Sequence, residues 1–104
     1  MEVKQIKQEL SQVELIIGRA LHALKNDDGA PRDLKESVKE LDGHVRKAKQ
    51  SQDQKVLAQC VNEMEAASDR ARDACDRAGN LDAQTRSAVL EAHKQLCSLK
   101  HQLH

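Results

Sequence analysis

Residues 3–24 read VKQIKQELSQVELIIGRALHAL, and Val3, Ile6, Leu10, Val13, Ile17, Ala20 and Leu24 recur at alternating steps of three and four. A helix turns once per 3.6 residues, so this spacing puts all seven on one edge. The result is a coiled-coil-like heptad seam held over three repeats. Polar and charged residues fill the rest of the turn, which predicts a helix with a single apolar face to bury.

The rhythm stops at NDDGAPRD, where Asn26, Asp27, Asp28 and Gly29 form turns and Pro31 suits the first position of a new helix. It resumes with Leu34, Val38, Leu41, Val45 and Ala48, and Gly43 weakens this second helix without ending it. The stretch KQSQDQK then runs without an apolar side chain, and Ser51 with Gln54 has the spacing of a capping box, which favours a loop over residues 49–55. With neither Gly nor Pro to break it, a helix continuing through this point is the alternative. A third seam uses Leu57, Cys60, Met64, Ala67, Ala71, Ala74 and Ala78, ending at Gly79 and Asn80, where a left-handed stop is expected. The last helix buries Leu81, Thr85, Ala88, Val89, Ala92, Leu96, Leu99 and Leu103. Four amphipathic helices, at about residues 2–26, 31–50, 52–78 and 81–103, joined by short turns, predict an all-α antiparallel up-and-down four-helix bundle. At 104 residues the chain reads as a single domain, 1–104.

Composition narrows the function classes. The chain has 17 basic and 17 acidic side chains, well mixed, so it lacks the basic face a phosphate backbone requires. It contains no Phe, Tyr or Trp, and so has no platform for stacking bases. Nucleic acid is not an expected partner. No apolar run could serve as a leader or span a membrane, and the three cysteines, Cys60, Cys75 and Cys97, form no paired framework. A cytoplasmic location with free thiols is expected. A core built only from aliphatic side chains is thin, so the fold is expected to gain burial by self-association, most simply as a homodimer.

The C-terminal stretch EAHKQLCSLKHQLH, residues 91–104, holds His93, Cys97, His101 and His104. At about 100° per residue these four share an arc that begins some 90° from the core stripe. A rise of about 1.5 Å per residue puts His93 and His104 roughly 16 Å apart, too far to share one ion. Only neighbouring pairs could do so, with further ligands from another helix or subunit. His22, His44, Cys60 and Cys75 stand alone, and there is no Glu-x-x-His pattern of a di-iron bundle. Leu90, His93 and Cys97 also make a second, softer apolar stripe. Leu15 and Ile16 do the same on the first helix, with Ile16 on the flank and Leu15 near the outer side. These five residues are the candidate subunit contacts.

The stretch ALHALKNDDG, residues 20–29, resembles the H-x-L-K-G core of histidine phosphotransfer domains. His22, Ala23, Leu24 and Lys25 match, and Asn26 stands where that family has Gly. Those domains are four-helix bundles of about this length. The resemblance implies that His22 carries a phosphoryl group and that Lys25 positions or neutralises it. Elsewhere, Arg46, Lys47 and Lys49 gather at a helix C-terminus, where the dipole favours cations. Glu65, Asp69, Asp73 and Asp76 are interleaved with Arg70, Arg72 and Arg77 at helical pairing distances and read as a solvated face. No carboxylate pair lies in an apolar context, no Gly-rich phosphate loop occurs, and no nucleophile has an identifiable base. Enzymatic activity and a bound cofactor are therefore not expected.

Overall fold

The computed structural model describes residues 2–103. Its four helices are α1 (Val3–Lys25), α2 (Arg32–Gln50), α3 (Gln54–Arg77) and α4 (Ala83–Leu103). Successive helices pack against each other, α1 closes the ring against α4, and α1 and α3 barely meet across the diagonal. The arrangement is an up-and-down four-helix bundle measuring 40 × 21 × 17 Å. No helix among the described residues is long and apolar enough to cross a membrane.

The seams seen in the sequence are the buried edges. Ile6, Leu10, Val13, Ile17, Ala20 and Leu24 of α1 meet Leu34, Val38, Leu41, Val45 and Ala48 of α2 in one core. Leu57, Met64, Leu96 and Leu99 fill it from α3 and α4. The second half of α3 presents Ala67, Ala71 and Ala74, and small side chains let neighbouring helices approach closely. Val3, Leu21, Leu81 and Leu103 lie partly buried at the rim.

Exposed ion pairs bridge each interface: Glu14–Lys49 between α1 and α2, Glu40–Arg70 and Asp33–Arg77 between α2 and α3, and Arg19–Glu91 between α1 and α4. Lys100–Glu65 does the same between α3 and α4. Pairs this exposed contribute about 0–1 kcal/mol each. Their positions nevertheless mark the register: moving seven residues inward from Asp33 on α2 and from Arg77 on α3 reaches the next pair, Glu40 and Arg70. Arg70 and Arg77 thus reach across to α2, whereas Arg72–Asp76 is a pair within α3.

Several local expectations are corrected. The α2–α3 break is a turn, as expected, but Asp53 caps α3 by accepting from Lys55 N at 2.9 Å. Ser51 serves the turn instead, its hydroxyl accepting from Asp53 N at 3.1 Å. Pro31 is the N-cap of α2, with φ −65° and ψ 153°, and the helix begins one residue later. No described residue has a positive φ, so α3 does not end in a left-handed turn. Ala78 is extended, and the Arg86 guanidinium of α4 donates to the Cys75 and Ala78 carbonyls at 3.0 and 3.3 Å. A cation from the next helix satisfies carbonyls that a glycine stop would otherwise have served.

At the same end of the bundle, Asp27 ties the α1–α2 loop to the α3–α4 loop. Its carboxylate accepts from Gly29 N at 3.0 Å and from Asp82 N at 2.9 Å. The Asp82 bond is the main reason its carboxyl is held below the usual value, with burial opposing. Asp82 in turn accepts from Gln84 N and opens α4. Thr85 lies fully buried beside this latch, near enough to favour the charged carboxylate, although its hydroxyl makes no well-formed hydrogen bond among the described residues. A side chain at Gly29 would meet the Asn80 carbonyl at 2.7 Å, so the loops touch backbone to backbone.

Candidate functional site

Along α4, Glu91 and Gln95 mark the side turned to α1, through Arg19 and Glu9. His93, Cys97 and Lys100 mark the side turned to α3. His93 and Cys97 stand one turn apart, as do Glu65 and Asp69 on α3, so two i, i+4 pairs face each other across an antiparallel contact. His93 Nε2 lies 3.1 Å from Asp69 Oδ1 and 3.6 Å from Cys97 Sγ. Cys97 Sγ donates to Glu65 Oε1 at 3.7 Å, while Lys100 Nζ holds the other oxygen, Oε2, at 3.3 Å. One donor atom each from Glu65, His93 and Cys97 lies within 4.8 Å of the others.

The environment is half-sheltered. The His93 side chain is 13% exposed, and Glu65, Cys97 and Lys100 are partly buried. Shelter pushes the Cys97 thiol above its ordinary pKa, and the Glu65 and Asp69 charges raise it further against the pull of Lys100. In this setting the sulfur carries its proton at neutral pH and releases it only to something that replaces that proton's charge.

The remaining candidate residues scatter. His101 is exposed and lines a shallow depression with Glu65, Cys97 and Lys100. His104 lies outside the described residues. His44 pairs with Glu63 at 3.4 Å on the α2–α3 flank. Cys60 and Cys75 are core side chains, and burial raises both thiols, Cys75 to about 11. Neither Glu65 nor Asp69 stood out in the sequence as a donor, since both sit in a charged run. Their one signal is the i, i+4 spacing that His93 and Cys97 share.

The five candidate contact residues divide. Leu15 (72% exposed) and Leu90 (38%) are the large apolar side chains exposed among the described residues. Ile16 is 7% exposed, because α4 covers its flank of α1, and so it offers no free surface. Leu90 projects roughly 20° from Cys97 on the outer arc of α4, away from the α1 side. Leu15 borders a groove of about 780 Å³ between α1 and the start of α4, floored by Gly18, Ala23, Ala83 and Ala88. His22 lies on this groove's wall, exposed and with no ring hydrogen bond. Lys25 is also exposed one turn on, and Asn26 spends its amide on the His22 carbonyl at 3.3 Å.

Among the described residues, the fold and these surfaces define an all-α helical bundle with a mixed His/Cys/carboxylate cluster and a small-residue groove. No family model, no curated protein and no solved structure matches the chain.

Proposed function

We propose that the protein works by contact with other protein surfaces and catalyses no reaction of its own, and that the first such surface is a second copy of the chain. The observation that carries this reading is the pairing of Leu15 with the groove beside it. A leucine this exposed sits one turn from a floor built of Gly18, Ala23, Ala83 and Ala88. Knob and hole on one face are self-complementary, which is the requirement of a two-fold contact. Glu14 and Arg19, on the same groove, supply both signs of charge for its rim.

The test is molar mass by light scattering after gel filtration, at tens to hundreds of micromolar. Wild-type protein is expected at twice the chain mass and Leu15→Glu at the chain mass, with unchanged helicity. A wild-type protein that stays monomeric throughout overturns the reading.

A second reading rests on the exposed, unbonded ring of His22 and its resemblance to phosphotransfer histidines. It requires the chain to gain one phosphoryl group from a small phosphodonor and to lose that gain in His22→Gln. An unchanged mass ends it.

A further inference from the structure

We propose that Glu65, His93 and Cys97 form a binding site for a borderline divalent transition-metal ion, zinc above all, with Asp69 and Lys100 as positioning residues. A tetrahedral zinc ion makes bonds of about 2.3 Å to sulfur and about 2.0–2.2 Å to nitrogen or oxygen, which sets its ligands about 3.4–3.6 Å apart. The distances from Cys97 Sγ to Glu65 Oε1 and to His93 Nδ1 are 3.7 and 3.9 Å, so the donors stand a few tenths of an ångström outside the edges of such a tetrahedron and close on it with small side-chain rotations.

The surrounding hydrogen bonds assign the roles. Asp69 accepts from His93 Nε2–H, which leaves Nδ1 as the unprotonated donor, 3.9 Å from the sulfur. A carboxylate behind a ligating histidine fixes its tautomer and turns its ring. Lys100 holds Oε2 of Glu65 and leaves Oε1 for the ion. When metal binds, the sulfur–metal bond forms as the thiol proton leaves to solvent, and no electron moves. One carboxylate and one thiolate then balance a doubly charged ion, while the Asp69 and Lys100 charges cancel. The mixed sulfur, nitrogen and oxygen set suits zinc or cobalt over magnesium or calcium, which favour oxygen alone. Three protein ligands leave the fourth position to water or to a group brought by a partner.

The chain's lack of aromatic residues makes the experiment simple, because its near-ultraviolet spectrum is almost blank. Full-length, untagged, reduced protein is titrated with cobalt chloride and separately with zinc chloride, and metal content is read by native mass spectrometry. One ion per chain is expected, with a thiolate-to-cobalt charge-transfer band and tetrahedral visible bands that zinc abolishes. Cys97→Ser should remove the charge-transfer band. His93→Gln and Glu65→Gln should each weaken binding at least tenfold, and Asp69→Asn about 10- to 100-fold as an outer residue. His101→Gln should leave binding and spectrum unchanged. Circular dichroism of each variant separates lost binding from lost fold. Absence of a bound ion and band in the folded wild type overturns the proposal. So does one ion per two chains, or a band that depends on His101 but not on Glu65.

Discussion

Gly29→Ala adds a single methyl group at a point where two loops meet. Its Cβ would stand 2.7 Å from the Asn80 carbonyl oxygen and 3.4 Å from the carbonyl carbon. Neither atom belongs to a side chain that can swing away. Asn80 precedes the Asp82 amide bonded to Asp27, so the obstructing backbone is itself tethered. Overpacking of this kind costs about 1–3 kcal/mol. The substitution also stiffens the unfolded chain, which offsets about 0.4–1 kcal/mol. Taking the middle of each range leaves a net loss of about 1.3 kcal/mol, which lowers Tm by roughly 5–10 °C in a domain of this size. Gly43→Ala is the counterpart, because nothing stands within 4 Å of its added Cβ in the middle of α2. There alanine should gain about 1 kcal/mol from helix propensity and raise Tm by about 4–8 °C. Both are read by urea and thermal unfolding followed at the helical circular dichroism band, since the chain has no aromatic fluorophore. A Gly29→Ala protein as stable as wild type would refute the loop contact, and stabilisation by both substitutions would show that only propensity matters.

Asp27→Asn tests the same end of the bundle through pH. A carboxyl held below its unfolded value of about 3.9 stabilises the fold above that value and loses this contribution as pH falls through the lower folded value. The gap in urea midpoint between wild type and Asp27→Asn should therefore be constant from neutral pH to about 5 and close as pH falls through the lowered value of the folded carboxyl; a gap that persists in strong acid rules the latch out. Leu57→Ala should cost about 2–5 kcal/mol, measured by urea unfolding, because its fully buried side chain lies in the central core. A cost below about 1 kcal/mol would place Leu57 at a rim rather than in that core. A thiol reagent at mildly alkaline pH should modify Cys97 in the folded protein, and Cys60 and Cys75 only after denaturant, given their burial. Equal rates for all three would contradict it.

The bundle was legible because helical periodicity carries it, and the seam of α1 from Ile6 to Leu24 is buried as its spacing implies. Periodicity locates the centre of an apolar face but not how far a neighbour reaches around it. Ile16, one residue from the seam, is covered by α4 for that reason, while Leu15 is left outside. Caps were less legible, since Arg86 reaches carbonyls 8 and 11 residues back. The metal cluster was half legible: His93 and Cys97 share an arc by spacing alone. That Glu65 and Asp69 stand opposite depends on the register of α3 against α4, which side-chain packing fixes and no local pattern records.

Asp27 also bears on how the chain finds its shape. Its bond to Asp82 joins positions 55 residues apart and closes a circuit already joined at the other end by the α2–α3 turn. The α1–α2 and α3–α4 hairpins need only nearby contacts and are expected to gather first. The clasp, with its larger closure entropy, follows late. Weakening a late contact leaves the folding rate nearly unchanged and hastens unfolding. In stopped-flow traces Asp27→Asn should accordingly move the unfolding limb of the chevron and spare the folding limb. Asp27 then governs how long a folded molecule lasts more than how quickly one forms.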